Sequence, residues 1–105
     1  MGERTLHVEA GDLGATLESR AATIHGRWDH DPHESYTALL LTSPEDKRLK
    51  KVAEEAVEVV MAAKDHDHDH VRYEAADLIY HLMVVLEAEG VNLDELAGEL
   101  NARMG

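Results

Sequence analysis

Five acidic residues fall into two short sets with helical spacing: Glu54, Glu55 and Glu58, then Glu74 and Asp77. Residues three or four apart share one face of a helix, so each set can aim its carboxylates in one direction. Like charges held that close repel one another unless a cation lies between them. Two such helices packed face to face would form a hard, all-oxygen site of the kind that suits Mg²⁺. Each set also has an ordinary reading. Glu54, Glu55 and Glu58 fit a solvated outer face, with Lys51 one turn before Glu55 as an ion-pair partner. Glu74 and Asp77 fit a structural salt bridge or a cap hydrogen bond near a helix start.

The elements that must position these residues can be read from caps and periodicity. Ser43 as N-cap, Pro44 at the first helical position and two acids after it predict a helix from about Pro44 to Lys64. On its wheel Leu49, Val52, Ala53, Ala56, Val60 and Ala63 form the expected core stripe, and Lys47, Lys51, Glu54, Glu55 and Glu58 the far side. The alternating segment Asp65-His66-Asp67-His68-Asp69-His70 has no core period and is expected as an exposed turn. The next helix, roughly Val71 to Glu89, is apolar almost all round from Ala75 to Leu86, as in a core or an oligomer interface. Glu74, Asp77 and His81 lie within about 60° of one another on its wheel and form its one polar stripe. A bare charge is expensive to bury, so carboxylates on such a helix must be paired, hydrogen-bonded or metal-bound. The short turn makes the two helices antiparallel neighbours, with Glu58 level with Glu74 and Glu55 opposite Asp77.

The rest of the chain reads as further helices. Residues 1–11 are expected as a loose tail. Asp12 is the expected cap of a first helix, with Leu13, Leu17 and Ile24 giving a thin apolar stripe, ending near Gly26. Trp28 to Glu34 is a loop by composition, and Ser35 caps a short element through Leu41. Gly90 is a C-cap glycine. Asn92 and Glu95 form a capping-box variant for a last helix to about Arg103, with Leu93, Leu96 and Leu100 inward.

Composition agrees. The chain of 105 residues is short enough for one domain spanning 1–105, and its 44% hydrophobic content is aliphatic, with no Phe and one Trp. The expected fold class is all-α, a helical bundle of four to five helices whose core is completed by homodimerisation. The apolar-all-round helix would otherwise leave sticky surface exposed. A net charge of −12, with 22 acidic residues against 10 Lys and Arg, argues against nucleic acid and anionic membranes as partners. It does not exclude a small phosphate ester, because a divalent cation reverses the local sign. There is no cysteine for disulfides or thiolate chemistry. No apolar run reaches membrane-spanning length and no secretory signal opens the chain, so a cytoplasmic protein is expected.

At the acidic residues the sequence resembles a known family. Glu54-Glu55-x-x-Glu58, a spacer and Glu74-x-x-Asp77 are similar to the signature of the all-α nucleotide pyrophosphohydrolases, the MazG-type superfamily. Within it the chain resembles the phosphoribosyl-ATP pyrophosphohydrolases of histidine biosynthesis. The closer likeness rests on Ser35-Tyr36-Thr37, on Lys50 to Val59, on Glu74 to Leu82 and on Gly90 to Asp94, and it covers roughly residues 30–100. It implies hydrolysis of the α–β phosphoanhydride of phosphoribosyl-ATP to phosphoribosyl-AMP and pyrophosphate, Mg²⁺ dependence and a homodimer. By the family motif Glu55, Glu58, Glu74 and Asp77 are the metal ligands. Glu54 or Glu55 is the candidate base. Lys51 and Lys47, with Lys50 and Arg48, are candidates for phosphate contact, Lys51 being the best placed on the acidic face. Ser35, Tyr36 and Thr37 are candidate substrate contacts, Ser35 alternatively a plain helix cap. His81 is a substrate contact or a satisfied core histidine.

Two features depart from the family pattern: the Asp/His turn and the segment before Trp28. Two other functions fit the residues. The same carboxylates would serve a house-cleaning pyrophosphohydrolase acting on dNTPs. A non-catalytic helical metal-binding protein would use His66, His68 and His70 as nitrogen ligands for Zn, Ni or Cu.

Overall fold

The structure, a computed structural model, describes residues 7–104. They form five helices and no strand: α1 (Leu13–His25), α2 (Tyr36–Thr42), α3 (Glu45–Lys64), α4 (His68–Glu89) and α5 (Leu93–Ala102). The fold is all-α, as the aliphatic periodicity predicts. Residues 1–6 of the expected tail lie outside the described residues, and 7–11 carry no regular secondary structure.

Local chemistry sets most helix ends. The Asp12 side chain accepts from the Ala15 N–H at 3.1 Å, and Ser35 Oγ from the Ala38 N–H at 3.1 Å. Asn92 and Glu95 form the full capping box, with reciprocal bonds of 2.9 and 3.1 Å. Gly90 ends α4 at φ +75°, a left-handed conformation that suits glycine. There the Val91 N–H bonds Leu86 C=O at 2.9 Å and the Gly90 N–H bonds Glu87 C=O at 3.2 Å, the paired pattern of a Schellman ending.

Two ends differ from expectation. Ser43 is extended and terminates α2, and Pro44 stands at the start of α3 with no side-chain cap bond, because the two helices nearly abut. Helix α4 begins at His68 rather than Val71. Asp67 caps it by accepting from the His70 N–H at 3.2 Å, so His70 is helical and the turn is shorter than its composition suggests.

The core is small. Ile24, Leu40, Leu41, Met83 and Val84 form its buried cluster, with Leu17, Ala21, Tyr80, Ala88 and Leu93 packed against it. The α3–α4 hairpin is the most extensive helix pair. Its facing corrects the wheel prediction for α3. Leu49, Ala53, Val60 and Ala63 are exposed, Val52 and Ala56 half-buried, and the buried residues are Glu55 and Ala62. The acidic face of α3, rather than its apolar stripe, packs on α4, and its polar neighbour there is the Glu74/Asp77/His81 stripe. Leu100 of α5 also stays exposed, because α5 buries no residue fully.

Candidate active site

Helices α3 and α4 run antiparallel, so later residues on α3 meet earlier ones on α4. Carboxylate oxygens of Glu55, Glu74 and Asp77 all lie within 4.8 Å of one another, and one atom each of Glu58, His70 and Glu74 does the same. The four family-implied ligands are therefore brought to one place, Glu55 with Asp77 and Glu58 with Glu74. Glu74 belongs to both groups.

The site is largely withdrawn from solvent. Glu55 is 6% exposed and Glu74 0%. Glu55 Oε1 receives Lys51 Nζ at 3.2 Å, and Glu74 Oε2 contacts His70 Nε2 at 3.0 Å. The second oxygen of each, Glu55 Oε2 and Glu74 Oε1, is buried with no hydrogen-bond partner. Buried polar groups are nearly always satisfied, and each exception calls for an explanation. A cation that draws several oxygens together supplies one here, and the all-carboxylate set of Glu55, Glu74 and Asp77 has the hardness Mg²⁺ prefers.

Proton affinities reflect the crowding. Burial pushes the Glu74 carboxyl above its ordinary value, and the charges of Glu58 and Glu55 add to this against the opposing hydrogen bond from His70. Burial likewise raises Asp77, reinforced by the charge of Glu55 and a hydrogen bond with it, against the pull of His81 and Lys51. For Lys51 burial favours the neutral amine, but the hydrogen bond to Glu55 and the nearby negative charges outweigh it and raise its pKa.

The other predicted residues fall around this centre. Glu54 is exposed on the flank and reaches Lys51 Nζ at 3.8 Å. Lys47 is exposed one turn before Lys51, near the start of α3. Tyr36, at the start of α2, places its hydroxyl 3.1 Å from His81 Nε2. His81 Nδ1 lies 2.8 Å from the Asp77 carbonyl, which can only accept, so Nδ1 carries the proton and Nε2 accepts from Tyr36. His81 is thus a buried, satisfied histidine that ties Tyr36 to α4. Tyr36, Tyr80 and His81 form an aromatic wall, with the Tyr80 and His81 ring centroids 4.9 Å apart. Thr37 Oγ1 hydrogen-bonds the Tyr80 hydroxyl. Ser35 is occupied as the cap of α2.

One residue at the site, Tyr80, escapes the sequence reading, and another, His70, is expected there only as a turn ligand beside His66 and His68. Tyr80 is the anchor of Thr37. His70 stands one turn before Glu74, and the signal for it was the Asp67 cap three residues earlier, which competes with the other aspartates of the alternating segment. His66 and His68 join no metal-capable group among the described residues.

Buried carboxylates converging from a helical hairpin, flanked by lysines, define the class of an all-α acidic-cluster phosphohydrolase. Comparison with known proteins narrows the class. The family model described as phosphoribosyl-ATP pyrophosphohydrolase matches residues 17–104, and the chain belongs to that family. The match begins ahead of Trp28 and so takes in most of α1, which the motif resemblance left out. A phosphoribosyl-ATP pyrophosphatase of Rhizobium rhizogenes is 47% identical over 90 residues, 86% of this chain and 86% of the relative. One of Neisseria gonorrhoeae is 46% identical over 91 residues, 87% of this chain and 85% of the relative. The histidine biosynthesis bifunctional protein HisIE of Bacillus subtilis is 40% identical over 95 residues, covering 90% of this chain but 46% of the longer relative.

Proposed function

We propose that this chain, acting as one domain, hydrolyses phosphoribosyl-ATP to phosphoribosyl-AMP and pyrophosphate in histidine biosynthesis, with Mg²⁺ held by Glu55, Glu58, Glu74 and Asp77. The observation that carries the reading is the pair of buried, unpartnered oxygens, Glu55 Oε2 and Glu74 Oε1, inside the carboxylate cluster of a chain of this family. Bound there, Mg²⁺ supplies charge neutralisation and Lewis acidity toward the substrate's phosphate oxygens.

The chain's own residues do the rest. Lys51 and Lys47 contact phosphate oxygens from the α3 face, Lys51 from a position already fixed by Glu55. Tyr36 and Thr37 hold the substrate from α2, while Ser35 keeps that helix capped. His81 sets the Tyr36 hydroxyl through its Nε2. Glu54 or Glu55 orients a water and takes its proton as the water oxygen bonds to the α-phosphorus and the bond to the bridging α–β oxygen breaks, releasing pyrophosphate. Positioning and charge stabilisation account for most of the acceleration in such transfers.

A homodimer accompanies this function. Leu49, Val57, Val60 and Met61 on α3 and Ile79 and Leu82 on α4 are large, apolar and exposed in the single chain, and a second copy would cover them. No helix of the described residues is long and apolar enough to cross a membrane. A cytoplasmic setting goes with a phosphorylated pathway intermediate as substrate.

The test is pyrophosphate release from phosphoribosyl-ATP and from a panel of dNTPs by the purified protein with Mg²⁺. Release from phosphoribosyl-ATP alone is the expected result, and release only from dNTPs would overturn the substrate assignment. Glu58→Ala and Asp77→Ala should abolish turnover with helicity retained. Full activity in either, under saturating Mg²⁺, would remove that residue from the ligand set.

A further inference from the structure

His70 brings a nitrogen to a cluster otherwise made of oxygen. Its side chain is 18% exposed, and its Nε2 lies 3.0 Å from Glu74 Oε2. One ring nitrogen of His70 and one oxygen each of Glu58 and Glu74 all fall within 4.8 Å of one another. Helix geometry fixes this arrangement. Asp67 caps α4 at the His70 N–H, and residues four apart on one helix, His70 and Glu74, share a face directed at Glu58 of α3. The second observation is Glu74 Oε1, on a side chain with no exposure and with no hydrogen-bond partner.

We infer that Glu58, His70 and Glu74 form a mixed nitrogen–oxygen site for a borderline divalent cation such as Mn²⁺ or Zn²⁺, beside the all-oxygen group of Glu55, Glu74 and Asp77. The inference rests on the proposed metal-dependent reading of the acidic cluster and adds a ligand and a metal preference to it. Imidazole nitrogen favours the first-row transition ions, whereas Mg²⁺ favours carboxylate, carbonyl and water oxygen. Adjacent ligands of an octahedral ion bound at about 2.1 Å stand about 3 Å apart, which is the His70–Glu74 separation. Without a cation, a neutral His70 with its proton on Nε2 donates to Glu74. With the proton on Nδ1, the Nε2 lone pair faces the two glutamates, and the exchange needs no net proton gain or loss. His66, His68 and His81 do not compete. His81 uses both ring nitrogens, on Tyr36 and on the Asp77 carbonyl, and His66 in the turn and His68 at the start of α4 are exposed.

The experiment is electron spin-echo spectroscopy of the full chain loaded with Mn²⁺ alone, with Mn²⁺ and Mg²⁺ affinities measured by calorimetry. Wild type should show bound Mn²⁺ with ¹⁴N modulation from imidazole. His70→Gln should lose the modulation and weaken Mn²⁺ about tenfold or more, the scale on which groups around a metal act, with Mg²⁺ affinity little changed. His70→Glu should restore Mn²⁺ affinity without the nitrogen signal, which separates loss of a ligand from loss of the fold. The double variant His66→Gln/His68→Gln should keep the modulation. Bound Mn²⁺ without nitrogen modulation in wild type, or modulation that survives His70→Gln, overturns this inference and leaves the acidic site standing. Failure of wild type to bind either cation overturns both.

Discussion

Glu74→Gln separates the strain the acidic cluster imposes on the fold from the binding it provides. The Glu74 side chain is fully buried, with Oε2 against His70 and Oε1 unpartnered. A buried polar group left unsatisfied costs about 1–3 kcal/mol, and repulsion from Glu58 and Glu55 adds to it. Glutamine keeps the shape and removes the charge, although its amide still leaves one buried atom short of a partner, so only part of the cost is relieved. In chelator the variant should exceed wild type by about 1 kcal/mol, or roughly 4–8 °C in thermal midpoint for a domain near this size. With Mg²⁺ the order should reverse. A ligand that binds only the folded state adds RT ln(1 + [L]/Kd), about 2.7 kcal/mol at a hundredfold excess over Kd, and the variant forgoes that gain. Thermal unfolding followed by helical circular dichroism, at fixed protein concentration, with EDTA and then with Mg²⁺, measures both effects. A variant less stable than wild type in chelator, or stabilised by Mg²⁺ as strongly as wild type, would refute the reasoning.

The raised Glu74 and Asp77 carboxyls give metal-free stability a pH dependence. The folded state holds these protons more tightly than the unfolded chain, so their contribution is complete below the ordinary values of 4.5 and 3.8 and is lost as pH rises through the elevated folded values. Wild type should therefore lose stability over that rise relative to the Glu74→Gln/Asp77→Asn double variant, and parallel pH profiles for the two would contradict it. The comparison cancels Glu87, where burial is outweighed by hydrogen bonds from Trp28 and His25, so that its lowered carboxyl acts in the opposite sense at lower pH. Lys51→Met removes the ammonium 3.2 Å from Glu55 Oε1 and with it the cation paired to that buried carboxylate, which should cost about 1–3 kcal/mol in chelator denaturation and lower kcat/KM. Leu40→Ala, at a fully buried core position, should cost about 2–5 kcal/mol in urea unfolding with the slope unchanged.

The legible features are those whose partners lie within a few residues. The Asp12, Ser35 and Asn92–Glu95 caps and the Gly90 ending each close a hydrogen bond over a single turn, so residue type and spacing suffice to find them. The acidic centre was legible for a related reason. A short turn forces α3 and α4 antiparallel, and that register sets Glu55 against Asp77 and Glu58 against Glu74. The facing of α3 was not legible. A wheel separates Leu49, Ala53 and Val60 from Lys51, Glu55 and Glu58, but it does not say which stripe meets the neighbouring helix. Hydrophobicity alone assigns the wrong one, because it assumes that the packed face must be apolar. The start of α4 was obscured by the three alternating aspartates, any of which resembles a cap until Asp67 is seen to accept from His70.

The inverted face and the buried acids are two sides of one arrangement. Turning Glu55 and Glu74 inward directs Leu49, Val57 and Val60 outward on α3, and rotating the helix to bury the apolar stripe would dismantle the carboxylate cluster. The hairpin therefore leaves two needs unmet within one chain, charge balance between its helices and cover for its outer surface. The proposed cation meets the first and the proposed second copy the second. Because they act on opposite faces of α3, their stabilising effects should be close to additive. A charge-removing change at Glu74 would then raise metal-free stability without weakening the dimer, whereas Val60→Asp, placed on the exposed stripe, would shift the protein toward monomer in sedimentation analysis while the carboxylates stay assembled. If Val60→Asp left the assembly state unchanged, the outward stripe would not be the dimer face.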